Sequence, residues 1–518
     1  MSWKPEVDGI ERRRELARKQ GGEEAVATQH ARGRLTIRER IDGLLDRGSF
    51  QEQGPIAGVS ETDDEGELTS FTPANYVVGL GRIDGRLCAV GGEDFTLRGG
   101  SPSPAGFRKS VMAEELACRY RVPLIRFLEG GGGSVAPARG PVSAPTVESP
   151  ATPPRFLSIM NAMAMVPVVS GAMGAVAGLP AARLVASHLA IMARDTAQVM
   201  IGGPALVERA TGHVLSKDEL GGPRVHEKSG VVDLVMPDER GVLEQVRRFL
   251  SYLPTNVWEP APVAGCDDPK ERHEEELLSL IPRDRRKPYK MRRIIELVVD
   301  RGSFFEMTRG YGGSQITGLA RLSGQPVGIL ANDPYFYAGA MTAQAAQKVR
   351  RFVDLCDTFH LPILSLVDEP GFMIGPQAEA DATIRHGTAL LFAVMQSTVP
   401  WVSVVIRKTY GVAGAAHFGP GGHTLAWPSA ESGALPLEGG VAVAFRREIA
   451  EAPDPDAKRR ELEEELASRR SPYTRAEGYG VSDLIDPRRT RPELCNWVEW
   501  IQPQLALHLG PRSYTVRP

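Results

Sequence analysis

The chain has 518 residues, of which 42% are apolar and 24% charged, and its formal net charge is −3. Such a length exceeds what one hydrophobic core fills, so two domains are expected, and the near-neutral charge lacks the basic footprint of a nucleic-acid-binding protein. No apolar run reaches the roughly 18 residues of a membrane span, and charge fills the first twenty positions where a signal peptide would be apolar, so no membrane partner and a cytoplasmic location are expected.

Residues 8–46 read as helical, with Ile10, Leu16, Ile41, Leu44 and Leu45 set among charges, and residues 1–45 are expected to form an N-terminal arm. Asp46-Arg47-Gly48-Ser49-Phe50 follows and returns as Asp300-Arg301-Gly302-Ser303-Phe304. A longer match runs from Gly79 to Gly132 over Gly318 to Gly371. It pairs Gly79/Gly318, Leu80/Leu319, Arg82/Arg321, Gly85/Gly324, Asp94/Asp333, Gly100/Gly339, Lys109/Lys348, Leu116/Leu355, Pro123/Pro362 and Gly132/Gly371 without a gap. The repeat far exceeds solenoid units of about 20–50 residues, so it reads as a duplicated domain, the alternative being a chance match of glycine-rich segments.

Each copy has the same predicted order. An apolar strand ends at Gly85 or Gly324, a second strand covers 87–90 or 327–331, and a loop with Asp94 or Asp333 leads into a helix. In the second copy that helix is predicted over 342–359, with Val349, Phe352, Val353, Cys356 and Phe359 on one stripe, and His360-Leu361-Pro362 ends it. Strands at 124–128 and 363–367 come next. They run into Glu129 and four glycines in one copy and into Asp368-Glu369-Pro370-Gly371-Phe372 in the other. This alternation predicts an α/β fold with parallel strands. Residues 134–155 are proline-rich and read as a loop, residues 254–288 as the linker between copies, and the charged stretch 458–470 as a solvated helix.

Side-chain signatures of common chemistries are missing: there is no GxSxG elbow, no HExxH and no phosphate-binding loop. Five cysteines without a CxxC pair or zinc spacing read as packed thiols, and no metal site is expected. Gly79-Leu80-Gly81 and Gly130 to Gly133 lack the context of a dinucleotide fingerprint. Glycines at strand ends can instead expose backbone N–H groups, and two aimed at one oxygen form an oxyanion hole. The candidates are Gly174-Ala175-Val176-Ala177-Gly178, after a strand predicted to start at Val166 and end at Ser170, and Gly411-Val412-Ala413-Gly414, after one over 401–406. Close helix-to-strand packing is the alternative use of such small residues.

Several stretches together resemble a known family. They are Gln29-His30-Ala31-Arg32-Gly33-Arg34-Leu35-Thr36 with Arg38-Glu39-Arg40-Ile41, Asp94-Phe95-Thr96 with Gly99-Gly100-Ser101, and Gly203-Pro204 with Ala210-Thr211-Gly212 and Glu219-Leu220-Gly221-Gly222. Arg350-Arg351-Phe352-Val353, Asp368-Glu369-Pro370-Gly371-Phe372, Arg407-Lys408-Thr409-Tyr410-Gly411 and Ala426-Trp427-Pro428 complete the set. Over nearly its whole length the chain resembles the carboxyltransferase (beta) subunit of biotin-dependent acyl-CoA carboxylases, of the propionyl-CoA and methylcrotonyl-CoA carboxylase type.

The resemblance implies two tandem crotonase-like (ClpP/crotonase) domains of repeated ββα units. An N-terminal carboxyltransferase domain would cover 46–258 and a C-terminal one 289–518, joined by a linker over 259–288. It implies a hexamer built as a trimer of dimers, the N-domain of one subunit facing the C-domain of another. Acyl-CoA would lie mainly on the first domain and carboxybiotin mainly on the second. CO2 would pass from carboxybiotin to the alpha or vinylogous carbon of the acyl-CoA, with one oxyanion hole for each enolate.

Matched residue by residue, the resemblance puts the acyl-CoA hole at Gly178 and Leu179 and the biotin hole at Val412 and Ala413. Where many relatives carry Ala-Gly-Gly-Ala and Tyr-Gly-Gly-Ala-Tyr, this chain has Ala177-Gly178-Leu179-Pro180 and Tyr410-Gly411-Val412-Ala413-Gly414. A positive φ at Leu179 or Val412 would be strained. Phe95, Thr96, Gly99, Gly100, Ser101, Gly131 and Gly132 would contact acyl-CoA, and Lys109 and Arg98 near this loop read either as ligands of its phosphates or as solvated surface charges. Tyr410, Gly411, Gly414, Ala415 and Phe372 would form the biotin side, and the small Ala415 would leave room for a longer or branched acyl chain. His386 and His417, without identified partners, read as structural. Biotin would ride on a separate carrier and be carboxylated by a biotin carboxylase subunit, since neither function is legible here. A biotin-dependent acyl-CoA decarboxylase subunit, or a non-catalytic paralogue acting as a scaffold, are the alternatives.

Overall fold

Strands buried along most of their length build the same eight-stranded sheet twice in the computed structural model, which describes residues 2–101, 103–131, 155–469 and 471–512. The chain divides into two units between Val257 and Trp258. The first carries β1 (Gln51–Glu52), β2 (Gly58–Thr62), β3 (Leu68–Pro73), β4 (Tyr76–Ile83), β5 (Arg86–Glu93), β6 (Leu124–Gly130), β7 (Val168–Ala177), β8 (Leu189–Ala193), β9 (Gln198–Met200) and β10 (Leu234–Met236). Its sheet runs β1-β4-β5-β6-β7-β8-β10, with β9 on β7, while β2 and β3 form a separate hairpin. The second unit carries β11 (Phe305–Met307), β12 (Gln315–Leu322), β13 (Gln325–Asn332), β14 (Ile363–Glu369), β15 (Trp401–Tyr410), β16 (His423–Ala426), β17 (Glu431–Gly433) and β18 (Asp483–Leu484). Its order, β11-β12-β13-β14-β15-β16-β18 with β17 on β15, repeats the first strand for strand. In both, an antiparallel hairpin opens a run of parallel strands, so the predicted α/β architecture is present twice.

The repetition reaches single residues. Register slips fall between Leu128 and Gly130 in one sheet and between Val367 and Glu369 in the other, at the same alignment offset. Left-handed backbone recurs at Asp84 and Ser323 (φ 51° and 50°), Arg98 and Tyr337 (56° and 51°), and Arg121 and His360 (52° and 56°). Non-glycine residues adopt this region rarely and at a cost, so coincidence of glycine-rich segments does not explain it.

The helix after the second long strand of each sheet starts on a hydroxyl cap. Ser103 caps Pro104–Tyr120 by accepting the Gly106 N–H at 3.0 Å, and Thr342 caps Ala343–Thr358 by accepting that of Ala345 at 3.1 Å. In the second unit Leu364, Leu366, Val402, Val404 and Ile406 share one sheet face and pack on the helices Met291–Val298 and Thr490–Trp500. Val349, Phe352, Val353, Cys356 and Phe359 are buried, as the stripe predicts.

Two sequence expectations are corrected. The N-terminal arm is three helices, Lys4–Arg18, Glu23–Ala31 and Ile37–Leu44, because Gly22 and Gly33 take positive φ and break the run. Within the segment read as the linker, Arg272 pairs with Asp268 at 2.8 Å and donates to the Leu297 and Val299 carbonyls, both at 2.9 Å. The strands predicted to stop at Ser170 and Ile406 run on to Ala177 and Tyr410, where they gain β9 and β17 as partners. Most of the proline-rich segment 134–155, with Gly132 and Gly133, lies outside the described residues.

Candidate functional site

Both sheets end their central strand in the same turn. After β7, Gly178 has φ 67° and ψ −129° and caps the short helix Leu179–Val185. After β15, Gly411 has φ 62° and ψ −163° and caps the 3-10 helix Val412–His417. These conformations are accessible essentially to glycine alone. The positive φ therefore falls on the glycines, whereas Leu179 and Val412 are the first helical residues and have none, so the expected strain there is absent. N–H groups at the start of a helix lack an intrahelical acceptor and point outward. Gly178, Gly411 and Val412 are exposed and Leu179 is half-buried.

The equivalent pairs are thus Gly178–Leu179 and Gly411–Val412. Ala413, expected as a donor, is buried and stands opposite Pro180, which has no N–H at all. Gly411 donates its own N–H to the Gly433 carbonyl at 3.2 Å, which pins the second turn to β17.

A buried charge cluster lies against β7, the strand that leads into the first turn. Glu129, at the end of β6, is fully buried and receives Gln29 Nε2 at 2.9 Å, Arg34 at 3.0 Å and Arg40 at 2.6 Å. Arg40 also pairs with Glu239 at 2.7 Å. Burial opposes the Arg40 charge, but Glu129 and Glu239 more than compensate and hold the guanidinium protonated. Gly174 sits inside β7, not after it, and it must be glycine because a Cβ there would stand 2.4 Å from Glu129 Oε1. The motif residues Gln29, Arg34 and Arg40 are therefore the frame of the site.

The loop after β5 lies against this frame. A Cβ on Gly100 would come within 2.3 Å of the Glu129 carbonyl, so glycine is needed for the close approach. Gly99 and Gly131 are exposed and Ser101 is half-buried. Phe95 lies under Arg34, whose guanidinium is 5.7 Å from the ring centre, and Thr96 accepts the Gly21 N–H at 3.0 Å. Gly132 lies outside the described residues. Lys109 does not meet the expectation of a free phosphate ligand: it is buried, 3.5 Å from Glu52 and 3.2 Å from the Gly54 carbonyl. Its counterpart Lys348 donates to the Gln315 carbonyl at 2.7 Å, so both lysines tie a helix to the sheet.

Around the second turn the polar groups differ. Asp368, opposite Glu129 in the alignment, pairs with Arg407 at 3.0 Å and accepts the Tyr289 hydroxyl at 2.9 Å. Glu369 accepts the Gly371 N–H at 2.9 Å and lies 3.3 Å from His417 Nε2, both side chains being fully buried. Burial pushes the Glu369 carboxyl up, and His417 beside it pulls it back. His417 thus has the partner that the sequence did not reveal, and His386 meets Gln347 at 3.1 Å. Phe372 is half-buried, its ring filling the space that a side chain on Gly387 would take. Ala415 is exposed, while Tyr410 and Gly414 are buried and support the turn from below.

Among the described residues no group of histidines, cysteines and carboxylates could hold a metal, and no helix is long and apolar enough to cross a membrane. The carboxyl transferase domain family matches residues 28–506. The chain is 36% identical to the propionyl-CoA carboxylase carboxyltransferase subunit of Haloferax mediterranei, over 95% of each chain. It is 34% identical to the methylmalonyl-CoA decarboxylase alpha subunit of Veillonella parvula, over 92% of each. Among solved structures it is similar to the transcarboxylase 12S hexamer with methylmalonyl-coenzyme A bound, at a TM-score of 0.85 and 30% identity, covering 100% of this chain and 98% of that one. The duplicated α/β units are accordingly crotonase-like domains, and the chain belongs to the carboxyl transferase family as a carboxyltransferase subunit of the acyl-CoA carboxylase type.

Proposed function

We propose that this chain moves a carboxyl group between biotin and the alpha or vinylogous carbon of an acyl-CoA. The first unit, residues 46–258, serves the acyl-CoA and the second, residues 289–518, serves biotin. The observation that carries this reading is the repeated glycine turn, Gly178 and Gly411 at the end of the same strand of two copies. A reaction that builds negative charge on a thioester oxygen and on a ureido oxygen needs two sets of donors, and one per copy supplies them.

At the first turn, Gly178 and Leu179 face the thioester oxygen, with Gly99, Gly131 and Gly132 giving the CoA arm close backbone approach and Phe95, Thr96, Gly100 and Ser101 shaping its edge. At the second, Val412 donates to the ureido oxygen, Gly411 and Gly414 give the turn its shape, and Ala413 lies one position further in. The residues fit biotin chemically: Val412 is exposed in the turn after β15, and the half-buried Phe372 follows β14, which pairs with β15 up to Thr409, so both offer apolar surface at that end of the sheet. When bound, biotin supplies the carboxyl group that is transferred. It rides on a separate carrier subunit charged by a biotin carboxylase, and the chain assembles as a hexamer, as the similar transcarboxylase core does. Ala415, small and exposed, leaves room for a longer acyl chain.

A decarboxylase subunit running the transfer in reverse is the second reading, favoured by the 34% identity to the Veillonella parvula protein. The test is an assay of the chain reconstituted with biotin carboxylase and carrier subunits, in both directions and across acyl-CoA chain lengths. ATP-dependent carboxylation supports the first reading. Transfer only from the carboxylated acyl-CoA supports the second, and no transfer with any acyl-CoA despite assembly overturns both. An Ala415→Trp variant with unchanged chain-length preference removes the pocket assignment.

A further inference from the structure

The two copies clamp the helix that follows the glycine turn with different chemistry. In the first unit Arg126 on β6 is fully buried and donates to the Ser170 hydroxyl oxygen at 3.1 Å and to the carbonyls of Arg183 at 2.7 Å and Ala186 at 2.6 Å. Those carbonyls close the helix that begins at Leu179. In the second unit the position of Arg126 is held by Ser365, and the clamp is rebuilt from the far end of the helix. His417, its last residue, reaches Ser365 Oγ through Nδ1 at 2.9 Å and Glu369 Oε2 through Nε2 at 3.3 Å, while Ser403 donates to the His417 carbonyl at 2.6 Å.

The direction of these hydrogen bonds follows from the neighbours. Asn332 Oδ1 accepts the Asp368 N–H at 2.8 Å, so its Nδ2 is the donor to Glu369 Oε2 at 3.0 Å. Gln315 Nε2 donates to the same oxygen at 3.2 Å, and the Gly371 N–H fills Oε1 at 2.9 Å. A carboxyl oxygen facing two amide donors is an acceptor, so His417 Nε2 carries the proton and Nδ1 accepts from Ser365. The chain of bonds therefore runs from the helix that starts at Val412, through His417 and Glu369, to Gly371 and the segment bearing Phe372. Among the described residues no such link exists at the first site, where the residue opposite Glu369 is Gly130.

We propose that Glu369 and His417 are positioning residues of the second-unit site, holding the Gly411–Val412 turn and the Gly371–Phe372 segment at a fixed separation so that biotin meets both. This rests on the carboxyltransfer reading above. The pair touches neither reactant and acts only through the two backbone segments that it joins.

The test uses the full chain and follows carboxyl exchange between methylmalonyl-CoA and free biotin. Glu369 keeps the Asn332, Gln315 and Gly371 donors when the imidazole is removed, so His417→Leu cuts the link to the helix while leaving the carboxylate satisfied, and it is the informative variant. It is expected to fold with a somewhat lower melting temperature and to raise KM for free biotin about tenfold while KM for methylmalonyl-CoA stays within about twofold. His417→Gln, which keeps one donor and one acceptor, is expected to recover most of the biotin affinity. A folded His417→Leu variant with the parent's KM for biotin overturns the inference, as does an equal rise in both KM values. A parent chain with no exchange at all overturns the carboxyltransfer reading together with it.

Discussion

Gly178 and Gly411 hold matching backbone conformations at matching places, each the residue between the end of the central strand and the first turn of a helix. A side chain at φ near +65° with these ψ values is strained by about 1–3 kcal/mol. Gly178→Ala and Gly411→Ala are each expected to lower stability in urea by that amount. Each is also expected to lower kcat more than either substrate's KM, because the donors act mainly on charge that develops during reaction. A variant with parent stability and parent kcat would show that the turn does not need glycine.

The frame under the first turn gives a second expectation. Gly174→Ala places a methyl group 2.4 Å from Glu129 Oε1 and displaces the carboxylate from Gln29, Arg34 and Arg40. Breaking a buried ion cluster costs about 3–5 kcal/mol, which chemical denaturation will read directly. The same substitution at a spacious glycine such as Gly203, where a Cβ meets nothing within 4 Å, is expected to be near neutral and serves as the control.

Glu93 at the end of β5 carries a carboxyl raised above its ordinary value by burial, against the opposing pull of Arg183. A raised acid contributes stability that is present below its unfolded value of 4.5 and lost as pH rises through the folded one. Its counterpart in the second unit is Asn332, and each accepts the N–H of the aligned residue, Glu129 at 3.3 Å and Asp368 at 2.8 Å. Glu93→Gln copies the second unit's solution. It is expected to stabilise the chain by about 1 kcal/mol at pH 8 and by less at pH 5, in thermal melts across that range.

Lys109 separates the sequence expectation from the structure. Held by Glu52 and the Gly54 carbonyl, it is a tie between helix and sheet. Lys109→Met is expected to lower the melting temperature by about 3–6 °C and to leave KM for acyl-CoA within about twofold. A large rise in that KM with unchanged stability would restore the phosphate role.

The duplication was legible because glycines, prolines and aspartates at turns are set by backbone geometry, which both copies share. Gly85, Gly100 and Gly324 keep their positions because each takes a positive φ. The reach of β7 and β15 was not legible: small residues such as Ala175 and Ala177 look like a loop until β9 pairs with them. Side-chain clusters were hidden for a different reason. Gln29 meets Glu129 across 100 residues and His417 meets Glu369 across 48, and no local pattern announces a partner that only the folded sheet brings close. The glycine turns themselves were found, but which residue takes the positive φ depends on where the strand ends, and that the sequence left open.

The most direct test of two separate sites compares Gly178→Ala with Gly411→Ala in the exchange between methylmalonyl-CoA and free biotin. The prediction is that each variant slows exchange by about tenfold or more, with residual substrate preference changing for acyl-CoA in the first and for biotin in the second. If both variants exchange the carboxyl group at the parent's rate, the paired glycine turns are not the site of transfer.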